Sequence, residues 1–536
     1  MKHKERMSSK IMFRGRAVLQ FNKDLPEPVY NKITQTLRTL ENKYRFTLKS
    51  VSIEGNKLNL EIETGRRIHN VILMIRNRLL KEVKELQEYR IGIRDVILED
   101  TTIEITGEYK VSLKIPFVKK VYTSEGKTYV VLKKLTKNEL KRPYLDRLIK
   151  LIEEKSKKAQ WKGKSEHWQL LRRSTKKLAE KKPGVDPNKV LTEVGWIKYF
   201  SIGQWFYTPP VTHLVNMIKH FLHEEVLKPL GFKEAIFPKM YPVEIGLKTG
   251  HLLGTINSML FASLPLTYDI ESYEEIIDYM YVMDEVPKEE LIKYLRPPSY
   301  FLCFAQCEPF YQFLSKEVFD DESLPVKWFD QSGPSFRWEA GGLHGLERVI
   351  EFHRVEIVWL GRPEQVIEIR NQLLERYEHL LDKVLDLEWQ FAWVTPWYYE
   401  QSGIVEEEKK EEKIDIDKPG TIDLEAWLPH RGPREDRKSW LEIGNISIHG
   451  TKFTDPFKIK HNKGQTLWTG CSGFGTERWL IAFLAQYGFN PREWPRKPRE
   501  YIEQHPLPES LKAITYPKTE EGKKMLYEIM KYFNQA

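Results

Sequence analysis

Residues 335 to 360 read SFRWEAGGLHGLERVIEFHRVEIVWL, and their alternation constrains the fold more than any other stretch of the chain. Successive side chains on a strand point to opposite faces. In the first half, Phe336 and Trp338 face one way, Arg337 and Glu339 the other. In the second half, His353, Val355 and Ile357 oppose Phe352, Arg354 and Glu356. Paired, the halves predict an antiparallel hairpin with one mainly apolar face. The other face carries two arginines, two glutamates and one phenylalanine. An ordinary hairpin with one wet face alternates in the same way. Three features favour a binding surface. The flanking chain is aromatic-rich and reads as core, so the polar face is not predicted to meet open water. The intervening loop, Ala340 to Glu351, holds Gly341, Gly342, Gly345 and Arg348, a combination suited to close contact with an anion. Phe352 offers a flat surface on which a base can stack.

The length of 536 residues predicts two to four domains, and 41% hydrophobic residues supply large cores. No apolar run approaches the ~18 residues of a membrane span. The basic start, Met1 to Lys10, is followed by no apolar stretch, so no secretory signal is expected. Three cysteines argue against a disulfide framework and for a reducing cytoplasm, where a thiol is available to metal. Charge is segregated by sign. Residues 1 to 190 hold 45 Lys+Arg against 23 Asp+Glu, and the remainder 40 against 53. Heat adaptation raises Lys and Glu content but does not sort them. A basic half joined to an acidic half points to a polyanion partner, and nucleic acid is the commonest.

Along the chain, residues 13 to 134 read as a small α+β domain. Hairpins are expected within 46 to 63, turning at Glu54, Gly55 and Asn56, and within 110 to 132, turning at Ser124, Glu125 and Gly126. Between them, Ile68, Val71, Ile72, Ile75, Leu79, Leu80 and Val83 have helical spacing. From Thr136 to Lys182 the pattern is helical and basic, and Pro183, Gly184 and Pro187 mark a linker. The expected division is a basic N-terminal domain over 1–182, a linker over 183–190 and a second domain over 191–536. Within the latter, residues 266–298 look like an acidic helical insertion, and 402–420, containing EEEKKEEK, a solvated charged loop. A lid beside a site is the other reading of that loop.

Ordered along the chain are LGFKEAIFP (230 to 238), the hairpin FRWE…RVIEFHR, and GFGTER (473 to 478). The trio resembles motifs 1, 2 and 3 of the class II aminoacyl-tRNA synthetases. A dinucleotide reading of GFGTER fails: the third glycine is absent and no ribose-binding acid on a following strand is evident. GLERVIEFHRVE, DLEAWLPHRGP (423 to 433) and WLEIGNIS (440 to 447) resemble the seryl enzymes. CFAQCEPF (303 to 310), VTPWYYEQ (394 to 401) and WTGCSGFGTERW (468 to 479) resemble the rare seryl type found mainly in methanogenic archaea. The N-terminal strands, with no sustained heptads, agree with that type rather than the common one, which begins with a long coiled coil.

The resemblance implies an α+β fold: a class II antiparallel sheet flanked by helices, preceded by a tRNA-binding domain, in a homodimer joined through motif 1. It implies activation of L-serine by ATP and transfer to serine tRNA. A threonine enzyme and a non-catalytic RNA-binding paralogue are the alternatives. For ATP it implies Arg337 on the α-phosphate, Arg478 on the γ-phosphate and Arg348 at the pyrophosphate end. Phe352 would stack on adenine, Glu339 contact the adenine or the tRNA end, Glu442 hold magnesium, and Gly473 and Gly475 clear space for the nucleotide. For serine it implies Arg354, Asn445 and Ser447, with Trp397 and Gln401 on a closing loop. Two cysteines and a glutamate hold one zinc per subunit in the rare type, and Cys307, Glu356 and Cys471 match them. Three such ligands leave a fourth tetrahedral position open, the pattern of a working zinc, which takes the serine amino group. Read from the residues alone, Cys307 and Cys471 are buried small hydrophobes. Cys303 falls outside the matched set and is expected in the core.

Overall fold

In the computed structural model, the described residues are 11–108, 115, 117–160, 168–175, 184–339, 342–394 and 415–534, with the side chains of 153–160 left aside. The chain divides into two compact units, residues 1–165 and 166–536.

The first unit is a six-stranded antiparallel sheet. Its strands run in the order Thr47–Glu54, Lys57–Thr64, Ile11–Phe21, Ile93–Thr106, Lys127–Leu132 and Val118–Ser124. Both expected hairpins form. Their turns need left-handed backbone, which Gly55 (φ 59°) and Gly126 (φ 73°) adopt without a Cβ clash. The helix Ile68–Glu82 buries Ile68, Val71, Ile72, Ile75 and Leu79, and the helix Glu27–Tyr44 buries Val29, Ile33, Leu37 and Leu40. These faces close one hydrophobic core with the sheet.

The helical reading of 136 to 182 needs correction. Helices occupy Lys137–Leu140 and Tyr144–Gln160, but Trp168–Arg173 is a strand. It is the edge strand of the second unit's sheet, paired antiparallel with Trp389–Val394. The basic stretch RRSTKK (172 to 177) therefore falls in the second unit, with Arg172 and Arg173 on this strand and Lys176 and Lys177 outside the described residues.

The second unit is built on a nine-stranded sheet. Its path is Lys233–Glu234, Val326–Asp330, Glu351–Gly361, Trp468–Gly475, Trp440–Gly450, Gly420–Trp427, Trp389–Val394 and Trp168–Arg173, with Pro334–Phe336 also paired to Glu351–Gly361. Only the short pairing of Lys233–Glu234 with Val326–Asp330 is parallel. The alternation expected in the long strand Glu351–Gly361 is present. Val355, Ile357 and Trp359 enter the main core with the helices Pro209–Leu222, Pro363–His379 and Thr476–Tyr487. Val358 and Leu360 enter a smaller core that contains Cys303, Cys307, Phe310 and Tyr311. Arg354 and Glu356 share that second face one step along the strand, so the polar site lies beside a dry cluster.

The hairpin differs in one respect. Strand pairing stops at Phe336↔Glu351, so the loop begins at Arg337, and Trp338 is 39% exposed rather than on an apolar face. Backbone hydrogen bonds between His344 and Arg348 close the loop's far part, while Ala340 and Gly341 lie outside the described residues. Residues 266–298, expected as a helical insertion, hold short helices between Ile270 and Tyr294. The main helix, Glu274–Met283, buries only Ile276. Of the charged loop, 402–414 lies outside the described residues. At its end Asp417 pairs with buried Arg370 at 2.7 Å. Among the described residues no helix is long and apolar enough to cross a membrane.

Candidate functional site

Three adjacent strands carry the site. Glu351–Gly361 pairs with Trp468–Gly475, setting Glu356 opposite Gly473 and Arg354 opposite Gly475. Trp468–Gly475 pairs with Trp440–Gly450, setting Gly473 opposite Asn445 and Cys471 opposite Ser447. A Cβ at Gly473 would sit 3.7 Å from a Glu356 oxygen, 3.8 Å from Arg354 Nη1 and 3.9 Å from Asn445 Oδ1. Gly473 thus leaves bare floor between an arginine, a carboxylate and an amide. At Gly475 a Cβ would meet the Ile443 carbonyl at 3.3 Å and Arg478 Cδ at 3.7 Å.

The arginines converge. Arg337 lies with its guanidinium 4.8 Å from the Phe304 ring centre and 5.9 Å from that of Phe352, and Arg354 lies 5.8 Å from Phe352. Arg337 Nε, Arg354 Nε and Arg354 Nη2 are buried without a hydrogen-bond partner. Burial, and then the charges of Arg354 and Arg478, push Arg337 down to about 10, against the pull of Glu442 and Glu339. For Arg354, burial opposes the charge, but Glu356 and the three cysteines outweigh it and raise the pKa. Arg354 Nε lies 3.2 Å from Glu356 Oε2. Buried cations with unpartnered N–H groups, facing one another, form a site shaped for an anion.

Arg478 enters from the first turn of the helix Thr476–Tyr487. Its Nε donates to the Glu347 carbonyl (2.8 Å) and its Nη1 to the Glu442 carbonyl (2.9 Å). Glu442 has a side chain 42% exposed, 3.4 Å from Arg478 Nη1 through Oε2, and accepts from Asn445 Nδ2 at 3.3 Å. Arg348 donates twice to Glu339 Oε2, at 2.9 and 2.8 Å. Ser447 is buried, with its hydroxyl 2.7 Å from that of Thr421. Trp397 and Gln401 lie outside the described residues.

Cys307, Glu356 and Cys471, distant in sequence, bring one ligand atom each within 4.8 Å of one another. Cys307 and Glu356 are buried, Cys471 partly so. Glu356 Oε2 has no hydrogen-bond partner, and burial raises its pKa against the opposing charge of Arg354. The Cys471 thiol is pushed far up by its hydrogen bond with Cys307, by burial, and by the charges of Cys307 and Glu356. The donor set suits zinc: ~2.3 Å bonds to sulfur and ~2.1 Å to oxygen place tetrahedral ligands ~3.6–3.8 Å apart, within the observed spread. Cys303 is elsewhere in the small core, accepting from the Tyr241 hydroxyl at 2.9 Å, and is not in this group.

Sequence reasoning missed three neighbours. Asp423 has its carboxyl pKa pushed well above the usual range by burial and by the charges of Glu442 and Glu425. Its signal was present: Asp423 and Glu425 alternate within DLEAW on one face of a strand. His449, buried and pushed toward the neutral form by that burial, lies 3.5 Å from Cys471 Sγ through Nε2. Tyr311 is fully buried beside both metal-group cysteines. Nothing local in sequence marks these two.

Comparisons with known proteins cover both units of the chain. Residues 11–154 match the model of a tRNA-binding domain, and residues 293–487 that of the tRNA synthetase class II core domain (G, H, P, S and T). The type-2 serine--tRNA ligase of Methanococcoides burtonii is 41% identical over 458 residues, covering 85% of this chain and 88% of the relative. That of Methanocaldococcus jannaschii is 35% identical over 535 residues, covering 94% and 98%. The crystal structure of M. kandleri SerRS in complex with A. aeolicus tRNASec superposes with a TM-score of 0.77 at 30% identity, covering 95% of this chain and 100% of that one. With both halves matched and nearly the whole length covered, the chain belongs to the type-2 serine--tRNA ligases.

Proposed function

We propose that the three-strand site of this serine--tRNA ligase binds ATP on its arginines and serine beside its Cys–Glu–Cys group, in the cytoplasm. The observation that carries this is the convergence of Arg337, Arg354 and Arg478, with buried N–H groups of Arg337 and Arg354 lacking a hydrogen-bond partner. The serine carboxylate is already ionised at neutral pH, so its attack on the α-phosphorus needs no general base. The bond formed joins carboxylate oxygen to phosphorus, and pyrophosphate leaves with the electrons of the broken P–O bond. Catalysis is then positioning and neutralisation of charge. Arg337 meets the α-phosphate, Arg478 the γ-phosphate and Arg348 the pyrophosphate end. Phe352 stacks on adenine, Glu339 contacts the adenine or the tRNA end, and Glu442 binds magnesium with the nucleotide. Gly473 and Gly475 keep the floor clear.

Cys307, Glu356 and Cys471 would hold one zinc per subunit, supplying a Lewis-acid position for the serine amino group. Around it, Arg354 takes the serine carboxylate, and Asn445 and Ser447 read the hydroxyl. By the resemblance, Trp397 and Gln401, which lie outside the described residues, also belong to the serine-binding set. Discrimination against threonine rests on pocket size, and one methyl supplies only ~1–3 kcal/mol in a passive pocket, which a metal-anchored pose would raise. The second step passes the seryl group to serine tRNA, gripped by the basic first unit. Exposed Ile236 (82%), two residues before Pro238 of motif 1, supports pairing with a second copy there.

The test is ATP–pyrophosphate exchange with serine and with threonine, before and after zinc chelation. Exchange that depends on serine and falls on chelation is expected. Exchange that persists in metal-free protein would remove zinc from the reading.

A further inference from the structure

Resting on the assignment of Arg478 and Arg348 to the phosphate chain, we infer that Glu347, clamped by Asn188 and Arg431, is the positioning residue that holds both arginines in register for ATP. Glu347 is only 2% exposed, although it sits in the loop between the two motif 2 strands. Its Oε1 accepts from Asn188 Nδ2 at 3.2 Å, and its Oε2 pairs with the guanidinium of Arg431. Asn188 also accepts the Leu346 amide on Oδ1 at 2.9 Å. The preceding residue, Gly345, has φ 44°, and a Cβ there would lie 2.2 Å from the Asn188 side chain. The loop is thus seated on Asn188 by two side-chain hydrogen bonds and a contact only glycine permits.

The same residue's main chain holds the functional groups. The Glu347 carbonyl accepts from Arg478 Nε, and its neighbour Arg348 follows directly, closed back onto His344 by two backbone hydrogen bonds of 3.0 and 3.1 Å. Displacing Glu347 therefore moves a partner of Arg478 and the backbone of Arg348 together. Asp186, His344 and Glu347 also bring potential ligand atoms within 4.8 Å of one another. Both Glu347 oxygens are engaged by Asn188 and Arg431, and Asp186 Oδ1 accepts from the Asn188 amide at 3.0 Å. A cation there would sit beside the Arg431 guanidinium, so the cluster is an anchor rather than a metal centre.

The experiment measures pyrophosphate exchange at varied ATP and varied serine in Glu347→Gln, Arg431→Ala and Arg431→Lys. Alongside it, single-turnover transfer from preformed seryl-adenylate to tRNA is followed. The expected result is a rise of about tenfold in KM for ATP in Glu347→Gln and Arg431→Ala, with KM for serine changed less than about twofold and the transfer rate unchanged. Arg431→Lys, which keeps the charge but not the fork, should fall between wild type and Arg431→Ala. An unchanged KM for ATP in the folded variants, or equal rises for ATP and serine, would overturn the clamp. Arg478→Ala separates the two levels. If it leaves KM for ATP unmoved, the phosphate assignment itself fails. If it raises KM for ATP while Glu347→Gln does not, the clamp alone fails. Arg431 lies on a different loop from Glu347, so it tests the same contact should Glu347→Gln fail to fold.

Discussion

Arg337 illustrates how single residues here work against stability. Its guanidinium is buried, an N–H is unpartnered, and two other arginines depress its pKa. A group held in that way stabilises an incoming anion more than the folded chain. Arg337→Ala is therefore expected to lower kcat/KM for exchange by about a hundredfold or more, as for loss of one charge-stabilising donor, while Tm stays level or rises. A variant that loses activity only because it melts earlier would contradict this. The cysteines make the complementary case. Cys471→Ala should abolish zinc retention, measured by metal analysis. Cys303→Ala should leave zinc bound and cost about 1–3 kcal/mol in denaturant unfolding, because it opens a small void and leaves the Tyr241 hydroxyl its weaker contact with the Ala305 carbonyl. Equal zinc loss in both would dissolve the distinction between ligand and core. The two roles were not separable from composition, because a ligand thiol and a core thiol are both buried and only tertiary neighbours divide them. The resemblance of the motifs, not spacing, singled out Cys307 and Cys471.

At the scale of elements, the site is a joint between the motif 2 strand and the motif 3 helix. The joint is Glu477, whose Oε1 accepts the His353 main-chain N–H and ring Nδ1, both at 2.8 Å, and the Tyr207 hydroxyl at 3.3 Å. The hydrogen bond to Glu477, and then its charge, raise the His353 pKa above the usual value despite burial. Because the folded-state pKa is raised, its stabilisation is fully present below the unfolded value of about 6.5 and is lost as pH rises through the higher folded value. His353→Gln should therefore lower Tm more at about pH 6 than at about pH 9. A penalty independent of pH would mean that the imidazole contributes by shape alone. The motif 2 strand was legible because one of its faces meets core and the other the site, so its alternation survives in the sequence. The edge strand Trp168–Arg173 was not. Its side chains are mostly exposed, so no buried face imposes a period of two. What holds it is tertiary: Trp168 Nε1 donates to Glu425 at 3.1 Å, and Arg173 Nε to Gln390 at 2.8 Å.

For the whole molecule, charge and packing divide the chain at different places. The unit of residues 1–165 carries 38 Lys+Arg against 20 Asp+Glu, and 166–536 carries 47 against 56. Basic composition continues beyond 165 into a segment whose described strand packs with the second sheet, which is why a boundary read from composition was expected near 182. Charge reports what a surface meets, whereas packing reports which residues share a core. The segregation separates the two half-reactions by their response to salt. On the proposed reading, amino-acid activation rests on an enclosed site whose Arg337 and Arg354 N–H groups are buried, where screening is weak. On the same reading, holding tRNA rests on exposed Lys and Arg of the unit that matches a tRNA-binding domain, where counterion release dominates. Raising salt from about 50 to about 200 mM should increase KM for tRNA in aminoacylation by at least about tenfold. Serine-dependent pyrophosphate exchange over the same range should change less than about twofold. Substituting exposed lysines of the first unit, such as Lys133 and Lys134, should reduce the slope of log KM for tRNA against log salt and leave exchange untouched. If exchange and aminoacylation instead fell in parallel with salt, tRNA would be held chiefly by the site's own arginines, and the basic unit would have no separate electrostatic task.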